Sequence, residues 1–218
     1  MADAQDFTVR RVDDEAGRRH VIGVLAATYC LEKRWVSDPE AQIPPGDVAR
    51  EDVDWFVAFA GGEPSGVVRL LREPPIAAYA RYHLKSLDPQ TRIEDFIGLT
   101  GIAEVGRFAV LPDRRRQFMV AAALMRAVTV VALQNDVTRL ITDVFEDDPN
   151  SPFGFHTRVL GFRPVATHDF GELNSASRRI TLVLDIASAY KRLRNRNHWF
   201  YRYVTCALSE ELHERLAA

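Results

Sequence analysis

A single acidic residue interrupts the apolar run from Ile102 to Val110, which predicts a buried β-strand. This residue is Glu104, and an isolated carboxylate in such a strand is paired with a cation or takes part in chemistry. A carboxylate there can accept a proton from an amine, directly or through one water molecule. Arg107 follows three residues later, and a bulge would bring both side chains to one face. The alternative is a buried ion pair between Glu104 and Arg69.

Three arginines and a glutamine stand where the sequence predicts the first turn of a helix: Arg114, Arg115, Arg116 and Gln117. The N-terminus of a helix offers unpaired backbone N–H groups and the positive end of the helix dipole, and both attract phosphate. We therefore expect a cofactor that carries a pyrophosphate or a phosphodiester. The alternative is an exposed helical turn whose arginines are solvated.

Several other side chains are candidates for substrate contacts. Asp52 and Asp54 flank the start of a predicted hairpin, where they either hold an ammonium group or are solvated loop acids. Trp35 follows the first predicted helix and either lines a substrate pocket or packs in the core. His156 is a candidate general acid because imidazole titrates near neutral pH, and the alternative is a histidine that is merely packed.

Strand and helix patterns alternate along the chain and position these groups. A Gly-Gly turn predicts a hairpin, and a long apolar helix between two strands predicts a parallel βαβ unit. The predicted strands are 7–12, 54–60, 66–71, 102–110, 138–145 and 178–185; the predicted helices are 15–35, 115–134 and 152–160, with short helices within 74–99.

The composition narrows the class of protein. The chain has 218 residues, of which 47% are apolar, with a formal charge of −2 and two cysteines. The near-zero charge argues against a general nucleic-acid binder, and the cysteines are too few for a disulfide framework. The histidines and cysteines show no metal-ligand spacing, and no apolar run is long enough to be a membrane span or a secretory signal. We expect a cytoplasmic protein without a metal.

The C-terminal segment 187–218 differs from the rest of the chain. Its apolar and aromatic residues recur at helical spacing, and it carries no acidic residue between Ala187 and Ser209. One interpretation is a docked helix with a solvated basic flank. The other is a contact for an acidic carrier protein or an anionic membrane surface. We therefore predict a domain at 1–186 followed by a basic, aromatic-rich helical extension at 187–218.

The order of these elements resembles the GNAT N-acyltransferase superfamily over about residues 7–186. Val105 to Arg126 resembles the family's central strand, its Val-x-Pro exit and its cofactor-binding helix, and Asn150 to Phe162 resembles its late helix with a terminal Gly-Phe. The resemblance implies an α/β fold: a mixed central sheet with a splayed strand pair, helices on both faces and here an extra C-terminal helix.

The resemblance also implies an acyl-thioester donor, either acyl-CoA or an acyl carrier protein, and a backbone N–H near Val110 that holds the oxyanion. The family's phosphate loop has glycines where this chain has Phe118 and Val120, and its frequent acid, a tyrosine, is replaced by Thr157 beside His156. The donor contacts that it implies are Phe108, Val110, Arg115, Arg116, Gln117, Phe118, Met119 and Val120.

Within the superfamily, the chain resembles the branch of acyl-homoserine-lactone autoinducer synthases and long-chain N-acyl amino acid synthases. The matching features are Trp35, the paired acids at 52 and 54, Gly66 to Leu71, and Glu104 to Phe108. They imply transfer of a medium or long acyl group to a primary amine such as an amino acid. Two alternatives remain: an acetyl-CoA-dependent N-acetyltransferase, and a catalytically silent scaffold that binds a partner. The implied catalytic residues are Glu104, Arg107 and His156, and the implied acceptor-binding residues are Trp35, Asp52, Asp54 and Arg69.

Overall fold

The computed structural model describes residues 7–72, 79, 81–88 and 101–217 of the chain. Within these residues, strands of mixed orientation alternate with helices, which confirms the mixed α/β fold class. Most of the predicted short helices within 74–99 lie outside the described residues. The strands are β1 (Phe7–Arg11), β2 (Val53–Ala60), β3 (Glu63–Leu71), β4 (Lys85–Ser86), β5 (Ile102–Val110), β6 (Arg139–Phe145), β7 (Arg163–His168) and β8 (Arg179–Asp185); the α-helices are α1 (Glu15–Leu25), α2 (Phe118–Gln134), α3 (Ile186–Asn195), α4 (Trp199–Thr205) and α5 (Glu210–Ala217).

Tertiary contacts divide the chain into two compact units. The first contains the described residues up to Leu71 together with 105–131, and the second contains the described residues of 72–104 and 132–217. Strand β5 contributes to both, since Ile102–Glu104 belong to the second unit and the rest of the strand to the first. The boundary predicted at residue 186 lies inside the second unit.

In the first unit the strands follow the order β1-β2-β3-β5. Strand β2 pairs antiparallel with β1 and with β3, and all its residues are buried. The β2–β3 hairpin is confirmed, and its turn is Gly61-Gly62 between the paired residues Ala60 and Glu63. Both glycines have positive φ, +62° and +84°, a conformation that other residues adopt only at a cost.

The first helix begins and ends with recognisable local signals. The Asp14 carboxylate caps α1 by accepting a hydrogen bond of 2.6 Å from the Gly17 N–H. The helix continues as a π-helical segment, Ala26–Glu32, so the helix predicted over 15–35 extends nearly as far as expected. Helix α1 packs against β2 and β3 through its buried residues, which include Val21, Val24 and Leu25.

A close approach in the first unit explains one strand glycine. A Cβ atom built on Gly66 of β3 would lie 2.9 Å from the Ala109 carbonyl oxygen of β5. It would also lie 3.0 Å from Val120 and 3.2 Å from Leu124, which are buried residues of α2. Strand β3 and helix α2 therefore pack at a distance that only a residue without a side chain permits.

In the second unit the strands follow the order β5-β6-β8-β7-β4. The pairing of β5 with β6 is parallel and joins Ile102 with Arg139 and Glu104 with Ile141, which confirms the predicted βαβ unit around α2. Strands β6, β8, β7 and β4 pair antiparallel. Strand β7 was not predicted, because it is short, contains Pro164 and has a bulge beside that proline.

The C-terminal segment forms three short helices, so the prediction of one continuous helical face is wrong. A turn with positive φ at Asn197 separates α3 from α4, and residues 206–209 separate α4 from α5. Helix α3 packs against β8, α4 and α5, and the Tyr190 hydroxyl of α3 lies 3.0 Å from Nδ1 of His213. Among the described helices, none combines the length and the apolar character that a bilayer span requires.

We predict that Gly66→Ala lowers the free energy of unfolding by about 1–3 kcal/mol, because the added methyl group overpacks a filled space. Urea denaturation followed by circular dichroism measures this change.

The matched control is Gly23→Ala in the interior of α1, where the added Cβ has no atom within 4 Å beyond its chain neighbours and the backbone of the helix itself. This substitution should stabilise the protein by about 0.5–1 kcal/mol, since alanine restricts the unfolded chain and favours helix. Equal effects of the two substitutions would contradict the close approach at β3.

Candidate active site

Glu104 lies in the second unit, on β5, and its side chain is half-buried. Paired residues of neighbouring strands present their side chains to the same face, so Glu104 shares a face with Ile141 of β6. Ile141 pairs in turn with Val183 of β8. These apolar neighbours belong to a buried cluster with Ile102, and Glu104 introduces a carboxylate at its margin.

The same face carries a second acid, Asp143, two residues after Ile141 on β6. Its side chain is 22% exposed. Oδ1 of Asp143 accepts a hydrogen bond of 2.8 Å from the Thr181 hydroxyl of the paired strand β8. The same oxygen lies 3.2 Å from Nε2 of His168 on β7. Both contacts meet on Oδ1, so they orient the carboxylate and leave Oδ2 outside them.

The His168 ring is held on three sides. It is buried and stacks on Tyr82, with ring centroids 5.3 Å apart and planes 2° apart. Nδ1 lies 2.6 Å from the carbonyl oxygen of Phe170, which can only accept, so Nδ1 carries a proton. The other ring nitrogen, Nε2, faces Oδ1 of Asp143.

The sequence pattern carries one signal for Asp143 and none for His168. Asp143 is an acidic residue inside the apolar run Leu140 to Phe145, which is the same pattern that identified Glu104. His168 lies 25 residues further along the chain, in the strand that was not predicted. Only the strand register brings these two side chains together.

His156 does not fit the predicted role of general acid. It is fully buried in a π-helical segment, Phe155–Leu160, with its ring 5.1 Å from that of Phe162. Burial disfavours the charged form and lowers the pKa of His156 to about 3, so the ring is neutral at neutral pH. The Gly161 that ends this segment has φ of +95°, and a Cβ there would overlap the guanidinium of Arg192.

In the first unit, Arg107 adopts a left-handed conformation within β5, with φ of +52°. A non-glycine residue in this region is strained, and it interrupts the regular alternation of the strand. This agrees with the irregularity that the sequence suggested near Glu104. Nε of Arg107 donates a hydrogen bond of 2.9 Å to the side-chain oxygen of Gln42.

Arg115, a predicted phosphate contact, makes a bidentate ion pair with Glu32 at the end of the first helical segment. The Nη1–Oε1 distance is 2.7 Å. The hydrogen bonds from Arg115 hold the pKa of Glu32 below its usual value, although partial burial opposes this shift. Lys33 lies 3.5 Å from the same carboxylate and 5.7 Å from the centroid of the Trp35 ring. Trp35 and Arg115 therefore border one cluster of charges.

The predicted acceptor acids are already balanced by arginines of the chain. Asp54 is buried and lies 2.7 Å from Arg11, and Asp52 forms a bidentate pair with Arg50 at 3.0 and 2.7 Å. The guanidinium carbon of Arg69 lies 6.0 Å from the ring centroid of Trp55. The environments of Asp52 and Asp54 thus favour structural pairing over recognition of an ammonium group.

The remaining predicted donor contacts differ in exposure. Arg116 and Phe118 are exposed at the start of α2, whereas Val120 is fully buried and faces Gly66. The helix begins at Phe118, three residues later than predicted, after a 3-10 turn at Pro112–Arg114. The half-buried predicted contacts are Phe108, Val110, Gln117 and Met119.

Within the described part of the chain, no group of three or more His, Cys, Asp or Glu residues is placed to hold a metal ion.

Comparisons with solved structures show similarity of fold over most of the chain. FeeM, an N-acyl amino acid synthase from uncultured soil microbes, is 17% identical over 89% of this chain and 99% of its own, with a TM-score of 0.65. The aminoglycoside acetyltransferase AAC(6')-Ib in complex with coenzyme A is 17% identical over 87% and 99%, with a TM-score of 0.58. The ribosomal-protein-alanine N-acetyltransferase from Brucella melitensis is 14% identical over 82% and 99%, with a TM-score of 0.57.

At these sequence identities, the structural similarity shows only that the folds are alike. None of the curated proteins matches the chain by sequence. The sequence itself matches the profile of the acetyltransferase (GNAT) family over residues 24–162, which is more than half of the chain. The protein therefore belongs to the GNAT acetyltransferase family, and its fold is that of an acyltransferase.

Proposed function

We propose that this protein transfers a medium or long acyl group from a thioester carrier to a primary amine such as an amino acid. The observation that carries the proposal is Glu104, a half-buried carboxylate in a mostly apolar strand, three residues before the strained Arg107. Membership of the GNAT family supports acyl transfer, and similarity of fold to an N-acyl amino acid synthase supports this choice of product.

In the proposed reaction, Glu104 takes a proton from the acceptor's ammonium group, directly or through one water molecule. The free amine then attacks the thioester carbonyl and a C–N bond forms. The C–S bond breaks, and the proton that the nitrogen loses passes to the departing sulfur, so the carrier leaves as a thiol. A backbone N–H near Val110 would hold the oxyanion of the tetrahedral intermediate. Arg115 and Arg116 would bind phosphate groups of the donor beside the N-terminus of α2.

The C-terminal helices support an acidic carrier protein as one source of the acyl group. Lys191, Arg194, Arg196 and Arg202 are exposed on α3, on α4 and on the turn between them, and Trp199 is exposed beside them. Basic side chains around an aromatic residue suit an anionic partner, and the same features suit contact with an anionic membrane surface. We propose that the protein is cytoplasmic and that this surface serves the carrier.

A second candidate function is transfer of an acetyl group from acetyl-CoA. The similarity of fold to an aminoglycoside acetyltransferase with bound coenzyme A favours it. The two functions differ in the length of acyl chain that the protein accepts.

The first prediction from the proposed function concerns the donor. Purified protein is incubated with donors of increasing acyl length, each as the CoA thioester and as the carrier-protein thioester, together with a mixture of amino acids. We expect N-acyl products from medium and long chains, detected by mass spectrometry, and a carrier-protein rate that falls with added salt. Products from acetyl-CoA alone would contradict the proposal and support the second function.

The second prediction concerns Glu104→Gln, which should lower kcat about 10²–10⁴-fold, because the variant cannot accept a proton. The deficit should shrink as the pH approaches the amine pKa of the acceptor, since more of the acceptor is then already deprotonated. Steady-state rates at several pH values measure both effects.

The control is Glu146→Gln, which removes one exposed carboxylate that is paired with Arg178 at the surface. Its rates should stay close to those of the unsubstituted protein. A loss in Glu104→Gln that is equal at every pH would argue for a structural role and against a base.

The third prediction concerns the pair of Arg115 with Glu32. If donor phosphate competes with Glu32 for Arg115, Glu32→Gln lowers the KM for the donor about two- to fivefold, as a partly exposed ion pair allows. Arg115→Gln should raise that KM, and adding Glu32→Gln to it should change nothing further. An unchanged donor KM in Arg115→Gln would show that this arginine stabilises the fold and does not contact the donor.

A further inference from the structure

In the first unit, the predicted acceptor acids Asp54 and Asp52 form short ion pairs with Arg11 and Arg50. Asp143 stands out in the second unit, because it is partly exposed and shares a sheet face with Glu104. We propose that Asp143 binds the ammonium group of the acceptor, with Thr181 and His168 as its positioning residues. This inference rests on the proposed function.

The spacing of the two acids suits one amine. Glu104 is paired with Ile141, and Asp143 lies two residues further on the strand that carries Ile141. A rise of about 3.3 Å per residue and about 4.8 Å between strands place the two Cα atoms roughly 8 Å apart. An ammonium group between the two side chains can donate to both, so Asp143 holds the acceptor while Glu104 takes its proton.

The His168 ring fixes one oxygen of the Asp143 carboxylate. Nδ1 lies 2.6 Å from the Phe170 carbonyl oxygen, and Nε2 lies 3.2 Å from Oδ1 of Asp143. Nε2 is buried and makes no hydrogen bond within the described part of the chain. Thr181 and His168 both contact Oδ1, so Oδ2 is the oxygen of Asp143 that we assign to the ammonium group.

The buried Arg179 interacts electrostatically with Asp143, but its hydrogen bonds go to other groups. Nη1 of Arg179 donates to the carbonyl oxygen of Asp169, Nη2 donates to that of Leu173, and the guanidinium carbon lies 4.9 Å from the Phe145 ring centroid. It therefore organises the loop after β7 and does not form the close, directed pair with Asp143 that Arg11 forms with Asp54.

The neighbours of Asp143 also restrict the acceptor. Tyr82 covers the His168 ring, and the face continues into the apolar side chains of Ile141 and Val183. A primary amine that is joined to an apolar or aromatic body matches both features. The structure thus assigns to this site an acceptor with a cationic end and an apolar remainder.

The experiment uses the full-length protein and two probes of similar shape, 2-phenylethylamine, which is cationic, and 2-phenylethanol, which is neutral. Calorimetric titrations are made with and without coenzyme A. We expect saturable binding of the amine, binding of the alcohol at least about tenfold weaker, and a similar loss of amine affinity in Asp143→Asn. Absence of saturable amine binding at millimolar concentration would overturn the proposal, as would equal affinity for the two probes.

Matched variants separate charge recognition from folding. Asp169→Asn removes an exposed carboxylate in the loop after β7, which pairs with Lys85. This substitution should leave amine binding unchanged. Thr181→Ser keeps the hydroxyl that orients Asp143 and should retain the affinity, whereas Thr181→Val should lose part of it. Equal behaviour of the two Thr181 variants would remove the positioning role.

Kinetics distinguish this proposal from the proposed function. Where acyl transfer to an amine is observed, Asp143→Asn should raise the KM for that amine about tenfold and leave the KM for the donor unchanged. An unchanged amine KM would reject the site and retain the transferase. Binding of the amine that depends on Asp143, in a protein that transfers no acyl group, would reject the transferase and retain the site.

Discussion

The structure depends on one constraint, which is that charge removed from water must be balanced within the chain. In the first unit, buried Asp54 is balanced by Arg11, and buried Arg18 donates from Nε to the carbonyl oxygen of Ile43. Each such pair also removes a charged group from those available to a ligand. The balanced pairs therefore decide which acids and cations remain for chemistry.

The same need to balance charge applies to the three consecutive arginines that precede α2. Three consecutive arginines suggest a uniform phosphate site, but they have different partners: Arg114 contacts Asp113, Arg115 is bound by Glu32, and Arg116 is exposed. Arg115 is therefore held by Glu32, a residue of the first helical segment that lies 83 residues away in the chain. In the proposed function, donor phosphate would compete with this carboxylate.

Close packing between β3 and α2 is the second constraint on the structure. Val120 occupies a position where the family's phosphate loop has a glycine, and here its side chain is buried against Gly66 of β3. The residue contributes to the core of the first unit and not to an open loop. Loss of that glycine is therefore compatible with a well-packed helix start, and it does not by itself indicate an inactive protein.

The local patterns of the sequence determined the hairpin, the parallel βαβ unit and the extent of the first helix, because turn glycines, capping and apolar periodicity act over a few residues. They also identified Glu104, since an acid in an apolar strand is conspicuous without any tertiary information. The partners of the charged residues were decided only by the tertiary structure: Arg115 by Glu32, Asp54 by Arg11, and Asp143 by Thr181 and His168. Strand register and helix packing bring these groups together from distant parts of the chain, and no short-range pattern records which cation will meet which acid.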